Sequence, residues 1–423
     1  MPKLWFANIE EVFGESFQAD AGDLMSKVSV WTPRFLFHAA PGDAVIVGNE
    51  VDPRFVAYAA AVSGFTSTLP VLFPSVTPRP FLLADALMAD AALIEKARDL
   101  CRSGDWMLEP YIQTANTLRV AAAIGVPANP THDVLIEEGL SHQLNDKLEC
   151  KRIASHLGIE TVPGVVADDA VGLRKAIRSA SQFHAGELML RNVQSAGGVG
   201  NLCGTPSDLL SRLENWYTGG SILVEPRLDL ESTLGSLVDI ERHGPEFVGI
   251  DEQILENGGW VGFSYPFTDP DIADQVRAES LAFGRAAYQL GARGYLNLDW
   301  GIVRNGNGAR RAVLIESNFR HNGFSHLIDL GTRLTGLSRG TLHVRFLATL
   351  PVRDECATFA GLHAALSGRL SKRSASLLIG PSSPDTGAVI VLPPDGGKAG
   401  IAVFAADPRE VDALDLEVKE RVS

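Results

Sequence analysis

Three features of the sequence predict a multidomain protein of mixed α/β and α+β class. Residues 1–140 contain a strand, helix, strand succession of the length that a parallel βαβ unit needs. Residues 141–350 mix helices and strands in no repeating order and include one long hairpin. Residues 351–423 form a small unit of helix, strand, turn, strand and helix. The chain has 423 residues, which at about 150 residues per domain suggests roughly three domains.

Composition narrows the function classes. Apolar residues make up 45% and charged residues 21% of the chain, the balance of a folded globular protein. The 37 lysines and arginines face 51 aspartates and glutamates, a net charge of −14. That sign opposes binding to a nucleic-acid backbone, so no nucleic-acid partner is expected. Glu10 and Glu11 interrupt the opening segment where an export signal needs apolar residues, and the long uncharged run from Phe55 to Pro78 is broken by Pro70, Pro74 and Pro78. A cytoplasmic protein without membrane contact is the expectation. Cys101, Cys150, Cys203 and Cys356 show neither metal-ligand nor redox spacing, which suits reduced thiols in that compartment.

The elements follow in order. Residues 43–48 (DAVIVG) form the expected first strand, followed by a helix over 53–63 that Asp52 and Pro53 open. A second strand spans 69–73, and Pro74 ends it. Helix is expected over 83–101 and a strand-bearing element over 120–130. Only Gly48 follows the first strand where a dinucleotide fingerprint needs three spaced glycines, so this Rossmann-like unit makes a poor NAD site. Next come a helix over 146–157 stopped by Gly158, a helix over 172–181, and strands at 187–193, 201–203, 221–225 and 232–241. A helix over 272–290 with Asp271 as N-cap precedes strands at 295–304 and 311–318. The tail carries strands at 388–392 and 401–405 around Pro-Pro-Asp-Gly-Gly, then a helix from Pro408 capped by Asp407.

The most informative stretch is YLNLDWGIVRNGNGARRAVLIESNFRHNG, residues 295–323. Two apolar runs flank Asn305-Gly306-Asn307-Gly308, a strong hairpin signal. A turn at Asn307-Gly308 sets Asp299 opposite Glu316; a turn at Asn305-Gly306 sets Asp299 opposite Ala312. In both registers Asp299, Glu316 and Asn318 share a face. Two carboxylates about 5 Å apart repel by about 3 kcal/mol at an effective dielectric near 20. A hard divalent cation compensates this most simply, and two carboxylates plus an amide oxygen suit Mg2+.

Three further segments carry weaker signals. In LMLRNVQSAGGVGN the glycines can present backbone N–H groups to an anion, and Arg191 is a lone cation in an apolar strand. Lys147 and Lys151 lie four apart on one helix face. In SILVEPRLDLES a strand breaks at Pro226 between Glu225 and Glu231. Each by itself also fits a solvated helix face, a flexible loop or a plain connection.

The order of these segments resembles that of the ATP-grasp ligases over residues 141–345. LDWG and IESNFR are similar to that family's acidic strand and Glu-Ile-Asn-Pro-Arg signature. Residues 1–140 resemble its pre-ATP-grasp domain, and the layout as a whole resembles the peptide ligases of the pheganomycin type. The resemblance implies an ATP-grasp small subdomain at 141–220, a large subdomain at 221–350 and a small C-terminal α+β domain at 351–423. It further implies ATP and Mg2+ as cofactors, small-molecule carboxylate and amine substrates, and leaves a homodimer open. By this resemblance Lys147 and Arg191 would contact ATP phosphates, and Ser195, Gly197, Gly198 and Gly200 would close over them. Residues 225–228 (Glu225, Arg227 and Leu228 among them) would form the adenine hinge, with Glu231 on the ribose. Asp299, Glu316 and Asn318 would hold magnesium, and Arg320, with Arg191, would act on the transferred phosphate. The sequence departs from the family pattern in carrying arginine at 191 where lysine is usual, a short interval from Glu225 to Glu231, and no proline in SNFRHNG.

The expected activity is ATP-dependent ligation of a carboxylate to an amine through an acyl phosphate, as in biosynthesis of a small peptide-like metabolite. The alternatives are an ATP-binding sensor or scaffold without chemistry, and an NAD enzyme built on the first domain. The hydrolase motif His-Glu-x-x-His is absent from the sequence. His321 and His326 are candidates for substrate recognition or structure, and the aromatic, glycine-rich segment 258–266 for a substrate wall.

Overall fold

A computed structural model of the chain describes residues 1–13, 30–75, 82–128, 130–183, 186–194, 200–256, 258–304, 306, 308–368, 376–380 and 386–423. Three sheets organise these residues.

The first sheet is parallel, with strands β1 (Lys3–Phe6), β2 (Ala44–Ile46), β3 (Val71–Leu72) and β4 (Met107–Pro110) in the order β3-β2-β1-β4. The expected first strand is therefore the second. Lys-Leu-Trp-Phe is only four residues long, too short for a periodic signal, yet it lies between β2 and β4 and buries Leu4 and Phe6 completely. The helix Pro53–Val62 starts as expected, with Asp52 accepting from the Arg54 N–H at 2.9 Å. The helix expected over 83–101 is two, Leu83–Ala89 and Ala91–Cys101, because Asp90 ends one and caps the other through the Leu93 N–H at 3.0 Å. Residues 120–130 correct the reading as a strand-bearing element: the helix Ala115–Ile124 occupies most of them. A Thr114–Thr117 capping box starts that helix and Gly125, at φ 87°, stops it. Its alanine-rich interior favours helix over the short Val-Ala pattern, and only Ala128 bridges to Leu108 as a strand would.

The second sheet is antiparallel, β5 (Val165–Ala167), β6 (Leu188–Asn192), β7 (Leu202–Gly204) and β8 (Ile222–Pro226), ordered β5-β8-β6-β7. Helices Ala170–Phe183 and Pro206–Trp216 cover one face, burying Leu173, Ile177, Leu209 and Leu213 against Leu188, Leu190 and Val224. The helix Lys147–Leu157, capped by Asp146 and ended by Gly158 at φ 71°, runs as expected.

The third sheet has eight strands, β9 (Ser232–Glu241), β10 (Gly244–Glu256), β11 (Gly259–Tyr265), β12 (Gly294–Arg304), β13 (Arg310–Phe319), β14 (His343–Pro351), β15 (Gly387–Asp395) and β16 (Lys398–Ala405). Their order is β13-β12-β9-β10-β11-β14-β16-β15. Strands β15 and β16 extend this sheet rather than forming one of their own. Strands β10, β11 and β14 escaped the sequence reading, because polar residues interrupt their apolar pattern. The long helix is Pro270–Gln289, and its N-cap is Asp269 rather than Asp271. Pro270 sits at the first helical position, where its fixed φ suits the turn, so the residue before it supplies the cap, accepting from the Ile272 N–H at 3.4 Å.

A single apolar core runs from the parallel sheet into the β11, β14, β15 and β16 end of the large sheet. It includes Phe37, Phe55, Phe346 and Phe404. The short 3-10 helix Thr32–Phe37 is wholly buried in the body of the protein by this contact. Gly262, at the β11–β14 seam, has no room for a side chain, since a Cβ would overlap the Phe346 carbonyl oxygen. Gly262→Ala should therefore destabilise the fold by roughly 1–3 kcal/mol, read as a lowered denaturant midpoint. Gly258→Ala should cost less than that, because its left-handed φ of 77° is strained for alanine but the space around it is open. Equal midpoints for Gly262→Ala and the parent would contradict the packing of this seam.

Candidate functional site

The site is built on the β12–β13 hairpin. Near its tip Arg304 pairs with Arg310 and Val303 with Arg311; beyond Trp300 the register shifts by one residue, so that Asp299 faces Glu316 and Asn297 faces Asn318. The expected pairing of Asp299 with Glu316 is thus observed, but a bulge at Ile315 produces it rather than a two-residue turn. The Ile315 carbonyl, released from regular pairing, accepts from Arg191 at 3.3 Å. Asn305 and Asn307 lie outside the described residues.

Asp299 accepts from three amides, Gln253 and Asn297 at 2.8 Å and Asn318 at 2.7 Å. One strand further on, Gly235 stands between Asp299 and Asp251 in the sheet. A Cβ at Gly235 would lie 2.5 Å from Asp251 Oδ1. Glycine there lets the Asp251 carboxyl lean toward Asp299, and both line the same cavity.

Cations from three elements converge on this acidic floor. Lys147, the first residue of its helix and 3% exposed, places Nζ 3.5 Å from Glu316. Arg191 on β6 ion-pairs with Glu316 and, at 3.3 Å, with Glu225 on β8. Lys151, one turn beyond Lys147, reaches Glu225 at 2.5 Å. Arg320 is fixed by a hydrogen bond to the Asn145 side-chain oxygen Oδ1, which also accepts from the Phe319 N–H at 3.1 Å. Arg191 and Glu316 join the second sheet to the third.

The carboxyls respond in opposite directions. Burial and the Glu316 charge push Asp299 up to about 7. Burial also opposes ionisation of Glu316, but Lys147, Arg191 and Arg320 outweigh it and hold that group down to about 2. Burial with the Asp299 charge raises Asp251 well above the usual carboxylate range. Burial pulls Lys147 down, against the attraction of Glu316. For Arg191, Glu316 and Glu225 together outweigh the desolvation that would lower it.

A cavity of about 480 Å³ opens above this cluster. Asp251, Asp299, Glu316, Asn318, Arg191 and Arg320 line it, and so do Trp31, Arg34, Tyr111, Trp260 and Phe324. Gly258, Trp260 and Phe263 of the expected aromatic wall line it too.

Of the residues singled out by sequence, Lys147, Arg191, Glu225, Asp299, Glu316, Asn318 and Arg320 come together. Arg227 instead pairs with Glu187, and Glu231 with Arg304 and Arg310, both at 2.9 Å. Leu228 packs beside Val162, Val303 and Val313. Ser195, Gly197 and Gly198 lie outside the described residues; Gly200, at φ 75°, begins the described chain beyond them. His321 and His326 stack around His38, with ring centroids 5.1 and 4.8 Å from it, outside the cavity lining. Sequence reasoning missed Asn145, Asp251, Gln253 and Arg34. The argument that marked Arg191, a charge inside an apolar run, applies equally to Asp251 in Phe247-Val248-Gly249-Ile250-Asp251.

The donor set fits a hard cation. Two half-buried carboxyls face each other across the hairpin, and Asn318 can present its amide oxygen beside them by a flip that leaves its shape unchanged. Among the described residues no group of three His, Cys, Asp or Glu side chains forms a metal cluster. No described helix is long and apolar enough to cross a membrane.

Residues 32–126 match the family model described as the Pre ATP-grasp domain. No curated protein sequence matches the chain. In fold, the chain is similar to the Campylobacter jejuni biotin carboxylase β,γ-ATP complex, at 12% identity and a TM-score of 0.62, covering 100% of this chain and 91% of that one. It is similar also to Aspergillus clavatus N5-carboxyaminoimidazole synthase in complex with ADP and 5-aminoimidazole ribonucleotide, at 14% identity and a TM-score of 0.57, covering 99% of each chain. A third likeness is to Thermus thermophilus N5-carboxyaminoimidazole ribonucleotide synthetase, at 13% identity and a TM-score of 0.58, covering 99% of this chain and 98% of that one. The architecture is a pre-ATP-grasp domain followed by an ATP-grasp fold.

The raised Asp299 carboxyl gives a pH prediction. Its folded-state affinity for a proton exceeds the unfolded one, so its contribution to stability is present at acid pH and lost as pH rises through about 7. A cation bound there competes with that proton. Millimolar Mg2+ should raise the unfolding midpoint more at pH 8 than at pH 6, and Asp299→Asn should abolish most of the difference. Equal Mg2+ shifts at both pH values in the parent protein would count against the cation site.

Proposed function

We propose that this protein is an ATP-dependent carboxylate–amine ligase of the ATP-grasp kind. The observation that carries the reading is the half-buried Asp299–Glu316 pair, held by Lys147 and Arg191 and lining one cavity with Arg191 and Arg320. Phosphoryl transfer needs this arrangement, since catalysis there is chiefly positioning and neutralisation of charge on phosphate oxygens. The described residues of the cavity offer no cysteine or serine nucleophile.

Asp299, Glu316 and Asn318 would hold Mg2+, which when bound neutralises nucleotide phosphate charge. Lys147 and Arg191 hold Glu316 ionised and ready as a ligand; nucleotide phosphates then take over part of the cations' attention. Asn145 keeps the Arg320 guanidinium aimed into the cavity, where it meets the transferred phosphoryl group. A substrate carboxylate oxygen attacks the γ-phosphorus and ADP leaves. The amine then attacks the acyl carbon, phosphate leaves, and an amide results. The aromatic lining of the cavity, Trp31, Tyr111, Trp260 and Phe324, would accommodate an amino-acid or peptide-like substrate of a peptide ligase.

Arg191 replaces the usual lysine in two ways at once, as a fork to Glu316 and Glu225 and as a cation over the phosphate site. Glu316→Gln and Asp299→Asn should each lower ADP release on the order of 10²-fold or more. Arg191→Ala should cost about 1.5–3 kcal/mol in kcat/KM and Arg191→Lys less. The assay is ADP formation with Mg-ATP against a panel of acids and amines. ADP release that requires both an acid and an amine supports the ligase. Tight Mg-ATP binding with no such release favours a sensor or scaffold, and parental rates in Glu316→Gln would sink the site assignment.

A further inference from the structure

Arg34 lines the same cavity as the acidic floor and stands beside Tyr111 and Gly323. It belongs to the 3-10 helix Thr32–Phe37 and is 5% exposed. Among the described residues no carboxylate pairs with it, and its Nε is buried without a hydrogen-bond partner. Its partner is Tyr111, whose ring centroid lies 5.6 Å from the guanidinium carbon and whose hydroxyl interacts with it. A cation–π contact contributes about 0.5–2 kcal/mol, whereas desolvating a cation costs several. Tyr111 alone leaves the account open. The other cavity cations are already committed: Arg191 to Glu316 and Glu225, and Arg320 to Asn145.

The surroundings select the missing partner. Trp31, Tyr111, Trp260 and Phe324 line the cavity with Arg34, Tyr111 in direct contact. Gly323 leaves room there, since a Cβ at that position would lie 2.8 Å from the Trp260 ring and 3.7 Å from Arg34 Nη1. A planar guanidinium framed by aromatic surface matches a carboxylate on a small apolar or aromatic body, held by two parallel hydrogen bonds.

We propose that Arg34 and its aromatic frame form a carboxylate-binding subsite for a substrate group that is not itself activated. The proposal rests on the ligase reading for the identity of the acidic floor. That carboxylate belongs either to an amino-acid nucleophile, as its own α-carboxylate, or to a diacid, as its second carboxylate. In both cases Arg34 sets specificity by pairing with a carboxylate other than the one activated.

Tryptophan fluorescence of the full chain, titrated with L-phenylalanine or glutarate and with the amide of each, tests this in the parent protein, R34Q and R34K. The parent should bind at least one of the two carboxylates at least tenfold more tightly than its amide. R34Q should lose that preference and R34K should recover part of it; R34K also serves where R34Q does not fold. Preference for phenylalanine assigns the subsite to the amine substrate, and preference for glutarate assigns it to a diacid. Binding of both carboxylates to R34Q as to the parent, or no carboxylate preference in the parent, overturns the subsite. Calorimetric titration of the parent with Mg-ATP, run alongside, reads the ligase assignment separately: its failure leaves an anion site without a ligase, and its success with failed carboxylate binding leaves a ligase without this subsite.

Discussion

The Glu316 carboxylate is held ionised in the interior by Lys147 from a helix N-terminus and Arg191 from a neighbouring sheet. A buried carboxylate without partners would protonate or destabilise the fold. Here the partners come from separate elements, so the charge requirement fixes where those elements stand. The bulge at Ile315 turns Glu316 toward Asp299 and frees a carbonyl for Arg191. Glu225 gives Arg191 a second anchor and is itself balanced by Lys151. The result is a chain of alternating charges across the seam between two sheets, where a nucleotide with its cation can exchange one set of counter-charges for another.

Asp299 stands outside that balance. It has amide donors but, among the described residues, no cation in ion-pair contact, and Asp251 crowds it across Gly235. The cations Lys147, Lys151 and Arg191 stand on Glu316 and Glu225 instead, which is why a proton or a metal ion is favoured at Asp299. The same cavity holds Arg34, a guanidinium that no carboxylate among the described residues pairs with. A substrate in this cavity would meet a cationic anchor on an aromatic frame and a phosphate-handling cluster at its reacting group.

Much of this was legible in the sequence. The hairpin and the shared face of Asp299 and Glu316 were readable from two apolar runs around an Asn-Gly segment, whereas the bulge that sets their pairing was not. The helix Lys147–Leu157 was readable from its cap and stop, and the lone charge of Arg191 in an apolar strand foretold a buried ion pair. What stayed hidden depends on distant packing. Strand β1 is too short to show periodicity. Residues 120–124 look strand-like until Thr114 caps a helix over them. Asp251, Asn145 and Arg34 acquire their roles from sheet neighbours and loops more than a hundred residues away in some cases, and no local spacing announces that. Arg227 and Glu231 carry the family resemblance in sequence, while in the fold their charges are taken by Glu187, Arg304 and Arg310.

The central claim is that the Asp299–Glu316 floor and the Lys147–Arg191–Arg320 cluster accept nucleotide and divalent cation as one complementary set. Calorimetric titration of the intact protein with ATP, with and without Mg2+, tests it most directly. The account predicts saturable binding of one ATP per chain that tightens at least tenfold when Mg2+ is present. Absence of ATP binding, or an affinity indifferent to Mg2+, would contradict it.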